Sequence, residues 1–313
     1  MNIQNFVGLQ LLLLLLPHSG CADPSHNAPS ISLNRTKRLT DANFDEESIR
    51  LSQFVVSIRT RTARMFFGDN HFCSGVILSP IFVLTSSHCL VDKRRIRYAS
   101  RMLLVVAAAV NRLKYIKHST FVTPVKRIML PDNFTKVNQQ DIGLLKLKNA
   151  LPRNSKHISV AKMPLQSPPP GLRCNVMGWG RVYQAGPMAS YLLYIDVMTI
   201  DSLKCAKLLN VPTMGLLCAI DDNPVTAQQP CVGDWGSPLM HGSTVYGIVS
   251  VIVGCGDDKP SVYTDVYLNI DWINKKINTD TSSTISVPHW LIYFIIVIVQ
   301  NRLFSLFIFV RQN

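Results

Sequence analysis

The feature that most constrains the fold is a series of short apolar segments separated by turns. Residues 54–58, 74–78, 82–85 and 103–106 are rich in Val, Ile, Leu and Phe, with turn-forming residues such as Ser79-Pro80 between them. Many short segments at roughly regular spacing are typical of a β-sandwich or a β-barrel. The sequence therefore predicts an all-β fold.

These segments fall into two groups. Residues 153–170 are polar and proline-rich, which is typical of a connector between two β units. A second group of strand-like segments, including residues 245–250, follows the connector. Residues 268–277 place three isoleucines on one helical face, so we expect a single helix near the C-terminal end of this region.

Composition narrows the class of protein and of partner. The 47% hydrophobic and 16% charged residues exclude a disordered or coiled-coil chain. The 32 Lys and Arg against 19 Asp and Glu give a net charge of +13. This excess predicts attraction to acidic partners such as proteoglycans, sialylated surfaces or anionic lipid. Nucleic acid would suit the charge but not the targeting signal described next.

The N-terminal end carries the features of a secretory signal. Residues 1–22 are predicted to be a signal peptide, because residues 6–16 form an apolar core and Gly20-Cys21-Ala22 offers small residues for cleavage. A membrane helix is the alternative, but the apolar stretch is short for one. Residues 23–50 then form a polar, irregular segment that contains Lys37-Arg38.

The C-terminal end is also apolar. Residues 279–289 are predicted to be a polar spacer and residues 290–310 a hydrophobic segment, interrupted by Gln300-Asn301-Arg302. Three interpretations remain open. A membrane span would carry Arg302 near its middle, which is costly; a lipid-anchor signal fits the spacer; and an amphipathic or disordered tail is the third. We therefore expect a secreted protein, with anchoring to the outer cell surface through this segment as the favoured variant.

Cysteine use agrees with export. Cys21 leaves with the signal peptide, and the seven remaining cysteines are expected to form disulfides with at least one thiol left over. The sequence has no CxxC or HxxxH cluster, so we expect no metal site and no cofactor. Asn34 and Asn133 stand in glycosylation triplets.

Eight short motifs follow one another in a fixed order. In chain order they are residues 83–89 (VLTSSHC), 141–147 (DIGLLKL), 174–180 (CNVMGWG), 231–239 (CVGDWGSPL), 246–250 (YGIVS), 255–256 (CG), 260–266 (PSVYTDV) and 271–273 (DWI). Together they resemble the trypsin/chymotrypsin-type serine proteases (peptidase S1) over residues 51–278. The resemblance implies two antiparallel six-stranded β-barrels with a C-terminal helix and a site in the cleft between the barrels.

The resemblance also implies a catalytic arrangement of three side chains. Such an enzyme needs a nucleophilic hydroxyl, an imidazole base and a carboxylate that orients the imidazole. His88 matches the base and Asp141 matches the carboxylate, but Trp235 stands where the nucleophilic serine is expected. An indole offers one N–H donor and no nucleophilic oxygen. The backbone N–H groups of Gly233 and Trp235 match the donors that would hold an oxyanion.

Other positions also depart from the family pattern. Gln229 stands at the expected floor of the specificity pocket, and Ser250-Val251-Ile252 replaces the family's Ser-Trp-Gly strand. Ser237 replaces a glycine and is an alternative nucleophile, although its position two residues along the turn need not face His88. Asp234 matches the carboxylate that pairs with a freed N-terminus, yet no Ile-Val-Gly-Gly segment is present to supply that partner.

Three disulfides follow from the resemblance. They are Cys73–Cys89, Cys205–Cys218 and Cys231–Cys255. Cys174 matches a family cysteine whose partner would fall at His241, so Cys174 is expected to be the odd thiol.

These observations predict a secreted or surface-tethered serine protease homologue that binds without cutting. Its expected partners are extracellular proteins, including active proteases or their inhibitors, and acidic glycans, with no role for nucleic acid. In this interpretation His88 and Asp141 persist as a buried hydrogen-bonded pair. The alternatives are an active endopeptidase with a non-standard nucleophile and a purely adhesive surface protein.

Overall fold

The structure is a computed structural model. It describes residues 46–132, 134, 140–213, 215–221, 223, 228–256, 259–282, 293–294 and 296–300. The expected signal peptide, the Lys37-Arg38 pair and the glycosylation triplet residues Asn34 and Asn133 lie outside the described residues.

The first half of the chain forms a closed antiparallel barrel of six strands. They are β1 (Val55–Thr60), β2 (His71–Ser79), β3 (Phe82–Thr85), β4 (Leu103–Ala107), β5 (Phe121–Met129) and β6 (Gly143–Leu147). Their order around the barrel is β1-β2-β3-β6-β5-β4. Closure removes the unpaired edges that an open sheet would leave.

The second half repeats this plan. Its strands are β7 (Arg173–Gly178), β8 (Leu193–Ile200), β9 (Leu216–Ile220), β10 (Pro238–His241), β11 (Thr244–Val251) and β12 (Ser261–Asp265). They close in the order β10-β11-β12-β9-β8-β7. The expected all-β architecture of two six-stranded barrels is confirmed.

Between residues 46 and 282, three α-helices accompany the barrels in the described part of the chain. They are α1 (Glu46–Ser52), α2 (Ser202–Leu209) and α3 (Ile270–Ser282). The C-terminal helix was expected, although the 3₁₀ turn Tyr267–Asn269 occupies its predicted start. The other two correct the prediction, because α1 crosses the boundary expected between residues 50 and 51, and α2 was not foreseen. Asp201 caps α2 by accepting a hydrogen bond from Lys204 N at 2.8 Å.

Apolar side chains fill each barrel and the contact between them. One buried cluster, which includes Ile58, Val83 and Leu145, fills the first barrel, and a second, which includes Val176 and Val249, fills the other. A third cluster joins strands of both barrels to α1 and α3. Burial of this kind is the main favourable contribution to folding, and here it holds the two barrels together.

All three expected disulfides are present. Cys73–Cys89, Cys205–Cys218 and Cys231–Cys255 close loops with sequence separations of 16, 13 and 24 residues. Loops of this length stabilise the folded chain by about 3 kcal/mol each in the chain-entropy model.

Cys174 is a buried free thiol, and burial raises its pKa to about 12. The pairing of β7 with β10 brings His241 to the neighbourhood of Cys174, and His241 Nδ1 lies 2.8 Å from Arg173 O. A histidine therefore stands where the family's second cysteine would be.

The described part of the C-terminal segment is helical and apolar. Side chains at residues 293–294 and 296–299 are exposed, with Tyr293 at 74% and Phe294 at 62%. Within the described ranges, no helix combines the length and the apolar character needed to cross a membrane.

Candidate functional site in the cleft

Strand pairing places His88 and Asp141 side by side. β3 pairs with β6 so that Thr85 lies opposite Gly143, and His88 follows this pair while Asp141 precedes it. His88 sits in a 3₁₀ turn, Ser87–Leu90, whose N-cap is Ser86. The imidazole Nδ1 lies 2.6 Å from Asp141 Oδ2.

Asp141 is a buried carboxylate that accepts several hydrogen bonds. Only 1% of the residue is exposed. Its oxygens accept hydrogen bonds from His88 N at 3.0 Å and from the hydroxyls of Ser86 and Ser250, each at 2.7 Å. Charge-assisted hydrogen bonds of this kind hold an ionised carboxylate in place without solvent.

His88 is partly open to the cleft. Its side chain is 32% exposed and meets the Phe134 ring edge to face, with 6.2 Å between ring centroids. The hydrogen bond to Asp141 raises the pKa of His88, burial lowers it, and the nearby positive charge of Arg95 opposes the rise. The net effect is an imidazole that holds its proton to higher pH than a free histidine.

A tight turn, residues 231–237, faces this pair from the second barrel. Asp234 N donates to Cys231 O at 2.8 Å, and Ser237 N donates to Asp234 O at 2.9 Å. Gly236 has φ +80°, and a Cβ there would lie 2.2 Å from Ser74 O. Only glycine fits this position, because both the backbone conformation and the close approach of β2 exclude a side chain.

Asp234 is anchored by backbone donors. Its carboxylate accepts hydrogen bonds from Gly180 N and Cys231 N, both at 2.8 Å. A Cβ at Gly180 would lie 2.4 Å from the same carboxylate, which explains the glycine after the buried Trp179. Backbone N–H groups thus hold the carboxylate for which the resemblance implies an ion pair with a freed N-terminus.

Trp235 joins the turn to the first barrel. Its carbonyl accepts a hydrogen bond from Ser74 N at 2.9 Å and lies 3.5 Å from Cys89 Sγ. The indole is half-buried and packs against the apolar cluster that contains the Cys73–Cys89 disulfide. The side chain therefore lies on the first-barrel side of the cleft.

Ser237 points elsewhere. The residue is fully buried, its hydroxyl has no hydrogen-bond partner, and a Cβ at Gly178 would lie 2.6 Å from the hydroxyl oxygen. This hydroxyl is thus directed at β7 and not toward the imidazole of His88.

The expected pocket residues separate into two groups. Gln229 is 4% exposed; its amide nitrogen donates to Lys259 O and its amide oxygen accepts from Gly256 N at 3.3 Å. Ile252 is partly buried against the core of the second barrel. Ser250, which was expected to line the pocket, is buried, and its hydroxyl donates to Asp141 Oδ2 at 2.7 Å.

Two polar groups beside the site were not foreseen from the sequence. Ser86 completes the Asp141 network, and its position two residues before His88 was the available signal. His71 is buried, pairs with Ser57 Oγ at 2.8 Å and meets the Trp179 ring edge to face. Burial, followed by the charges of Arg112 and Arg59, lowers the pKa of His71 to about 3.

Two β-barrels with a His–Asp pair and a tight glycine turn between them define the class of protein. The family model described as Trypsin matches residues 43–273, so the chain belongs to the trypsin family of serine proteases.

This chain matches different shares of the length of its individual relatives. Coagulation factor XII of Rattus norvegicus is 32% identical over 232 residues, covering 68% of this chain and 38% of the relative. Kallikrein-7 of Homo sapiens is 31% identical over 211 residues, covering 66% of this chain and 78% of the relative. The chain thus spans little more than a third of the length of factor XII.

The solved structure titled "Atomic resolution structure of HBP" shares the fold. It aligns with a TM-score of 0.61 and 24% identity, covering 74% of this chain and 93% of that chain. At this identity the likeness shows the fold alone.

Proposed function

We propose that this chain is a non-proteolytic member of the trypsin family that acts by binding. The observation that carries the proposal is Trp235, whose half-buried indole occupies the turn position expected of the nucleophile. The His88–Asp141 pair remains in place, but a base without a nucleophile cannot form an acyl-enzyme. In subtilisin, loss of the nucleophilic serine costs on the order of 10⁶-fold in kcat.

The geometry of Ser237 supports this proposal over a non-standard nucleophile. A nucleophile must come within hydrogen-bond reach of its base. The Ser237 hydroxyl is fully buried against Gly178, whereas the His88 imidazole is partly open to the cleft. Gln229 also supports the loss of proteolysis. It stands at the expected floor of the substrate pocket, and both ends of its amide are hydrogen-bonded to the backbone of residues 256 and 259.

The proposed partners are extracellular proteins, including active proteases of this family and their inhibitors. Three disulfides support folding in an oxidising compartment, which agrees with the predicted signal peptide. The partly exposed Trp235 supplies the kind of aromatic anchor that is enriched at binding hot spots.

A fluorophosphonate probe tests the absence of a nucleophile. We expect no labelling of the purified chain at concentrations that label an active family member fully. Ser237→Ala and His88→Ala serve as matched controls. Labelling of the wild-type chain that disappears in either variant would contradict the proposal and identify an active serine.

A binding assay tests the second half of the proposal. Immobilised wild-type chain is presented with a panel of active trypsin-family proteases and their protein inhibitors, in parallel with a Trp235→Ala variant. We expect at least one partner whose affinity falls at least about tenfold in the variant, the scale of a truncated aromatic hot spot. Equal binding to both forms would place the contact outside the cleft.

A further inference from the structure

The positive charge of this protein is concentrated in one barrel. From Val55 to Leu147 the chain has fifteen Lys and Arg against four Asp and no Glu. From Arg173 to Asp265 it has five Lys and Arg against eight Asp and no Glu. The two barrels share one fold and one core plan, so packing does not account for this difference.

A tight turn presents the densest group of cations. Lys93, Arg94, Arg95 and Arg97 are all exposed. Asp92 organises the turn, because its carboxylate accepts hydrogen bonds from Arg94 N at 2.9 Å and Ile96 N at 2.8 Å. Arg94 Nε lies 3.5 Å from the same carboxylate, so Asp92 offsets one of the four positive charges of the turn and the turn keeps a net positive charge.

Three further cations extend this turn into a surface. Arg61 N donates to Met102 O at 2.7 Å and Arg61 Nη1 to Arg101 O at 3.4 Å, so Arg61 and Arg101 are neighbours. β4 pairs with β5 so that Leu104 lies opposite Pro124, and β5 also contacts the 3₁₀ turn Ser100–Met102. Lys126, two residues further along β5, lies at this end of the strand pair. The basic face comprises Arg61, Lys93, Arg94, Arg95, Arg97, Arg101 and Lys126.

The basic face is largely open to solvent and begins at the rim of the cleft. All seven residues are exposed, and Arg95 lies near enough to His88 to act on its charge. Among the residues that the structure describes, no salt bridge engages Lys93, Arg97 or Arg101. Like charges held this close repel one another, and a bound polyanion would relieve that repulsion.

We propose that the basic face binds a linear sulfated polysaccharide. Five of its seven cations are guanidinium groups, whose planar forks match the oxygens of sulfate and carboxylate groups. The disulfides and the predicted signal peptide favour the outside of the cell, whereas anionic lipid is concentrated on the cytoplasmic leaflet. This site is independent of the proposed loss of proteolysis.

Heparin serves as the probe, with two variants that remove equal charge. Lys93→Gln, Arg97→Gln and Arg101→Gln are combined in the test variant of the full chain. The control variant combines Lys204→Gln, Lys207→Gln and Lys275→Gln, which are exposed cations outside the first barrel. Circular dichroism and thermal unfolding verify that both variants fold as the wild type does.

The expected result is a difference between these variants. At about 0.15 M NaCl the test variant loses at least about tenfold in heparin affinity, whereas the control stays within about twofold. The slope of log affinity against log salt should fall by roughly two to three in the test variant only, by analogy with phosphate neutralisation.

Several results would overturn the proposal. They are absence of wild-type binding to heparin at this salt, equal losses in the two variants, and equal affinity for desulfated heparin. Tighter binding to duplex DNA or to phosphatidylserine vesicles than to heparin would reassign the face to another polyanion.

Discussion

Two histidines, the partly exposed His88 and the buried His71, show how the same side chain acquires opposite electrostatic behaviour in different surroundings. His88 has a carboxylate partner, which raises its pKa, whereas His71 is buried near two arginines, which lower its pKa to about 3. Because a shifted pKa is a contribution to stability, both effects appear in the pH dependence of unfolding.

The free energy of unfolding should fall as pH drops below about 6.5. Between pH 6.5 and about pH 3, His71 is protonated in the unfolded chain but neutral in the folded chain. The free energy of unfolding therefore falls by up to about 1.4 kcal/mol for each pH unit in this range. Urea unfolding of the wild type and of His71→Phe, measured from pH 7 to pH 4, should show a flatter profile for the variant. His118→Asn, an exposed replacement, is the control and should follow the wild type.

His88 contributes with the opposite sign in the adjacent range. Its folded-state pKa is raised, so its contribution is fully present below 6.5 and is lost as pH rises through the folded-state value. A His88→Gln variant should therefore lose stability relative to wild type below 6.5 and approach it at alkaline pH. If the difference in unfolding free energy between His88→Gln and the wild type does not change with pH, an interaction of protonated His88 with Asp141 is contradicted.

Trp235→Ser alone should not restore proteolysis. The hydroxyl would return, but Gln229 and Ile252 would remain at the positions that the resemblance assigns to the substrate pocket, so we expect a substrate carbonyl to be misplaced. Misplacement by about 1 Å costs on the order of 10²-fold in rate. We expect at most weak fluorophosphonate labelling and no turnover of a fluorogenic peptide library.

Trp235→Ala is the matched control for this experiment, because it removes the indole without adding a hydroxyl. Labelling of the serine variant but not the alanine variant would show that the new hydroxyl faces His88. Rapid cleavage of peptides by Trp235→Ser would instead mean that the pocket is intact and only the nucleophile had changed.

At the scale of elements, the strands were easier to predict from sequence than the helices. β3 coincides with the predicted residues 82–85, because three buried apolar residues followed by Thr85 between turns allow few other structures. α2 was missed since it is only eight residues long and buries one side chain, Cys205, so it has little periodicity to detect. The bond between Ser250 and Asp141 was not predicted, because the two residues are 109 positions apart in the chain and only the fold brings them together.

Asp280 should be the residue that fixes α3 to the first barrel. It is 4% exposed and bonds Lys146 of β6 and Arg127 of β5, the latter at 2.6 Å. Asp280→Asn leaves the Lys146 ammonium buried without this carboxylate, which should cost about 3 kcal/mol. Guanidinium unfolding measures the loss.

Asp271→Asn, in the exposed first turn of the same helix, is the control and should cost under about 1 kcal/mol. Equal effects of the two substitutions would mean that the buried ion pairs add nothing to helix docking.

At the scale of the whole molecule, the body and the C-terminal segment differ in character. α3 ends at Ser282, and its Asp280 is bonded to Arg127 and Lys146 of the first barrel. Residues 293–294 and 296–299, in contrast, expose apolar side chains. Apolar surface of this extent is typical of contact with lipid or another protein. The contacts described above for the body all lie within residues 46–282, so we expect the body to fold without the segment.

Removal of the segment should release the protein from cells. A chain ended after Ser282 keeps Asp280 and its ion pairs, so the body should fold as in the full chain. In secreting cells we expect the shortened chain in the medium and the full chain on the membrane fraction, as measured by immunoblot. A chain with Ile296, Ile298 and Val299 changed to Ser is the matched control and should behave like the shortened one. Equal secretion of all three forms would exclude a role in anchoring.

The packing of Trp235 gives the cleft an optical signal of its own. Trp179 is fully buried, so its emission should change little when a ligand arrives, whereas the partly exposed indole of Trp235 loses water when the cleft is covered. An indole that loses contact with water emits at shorter wavelength. Trp235, which stands where the nucleophilic serine is expected, is therefore also an intrinsic fluorophore. Its emission should report occupancy of the cleft without an added label.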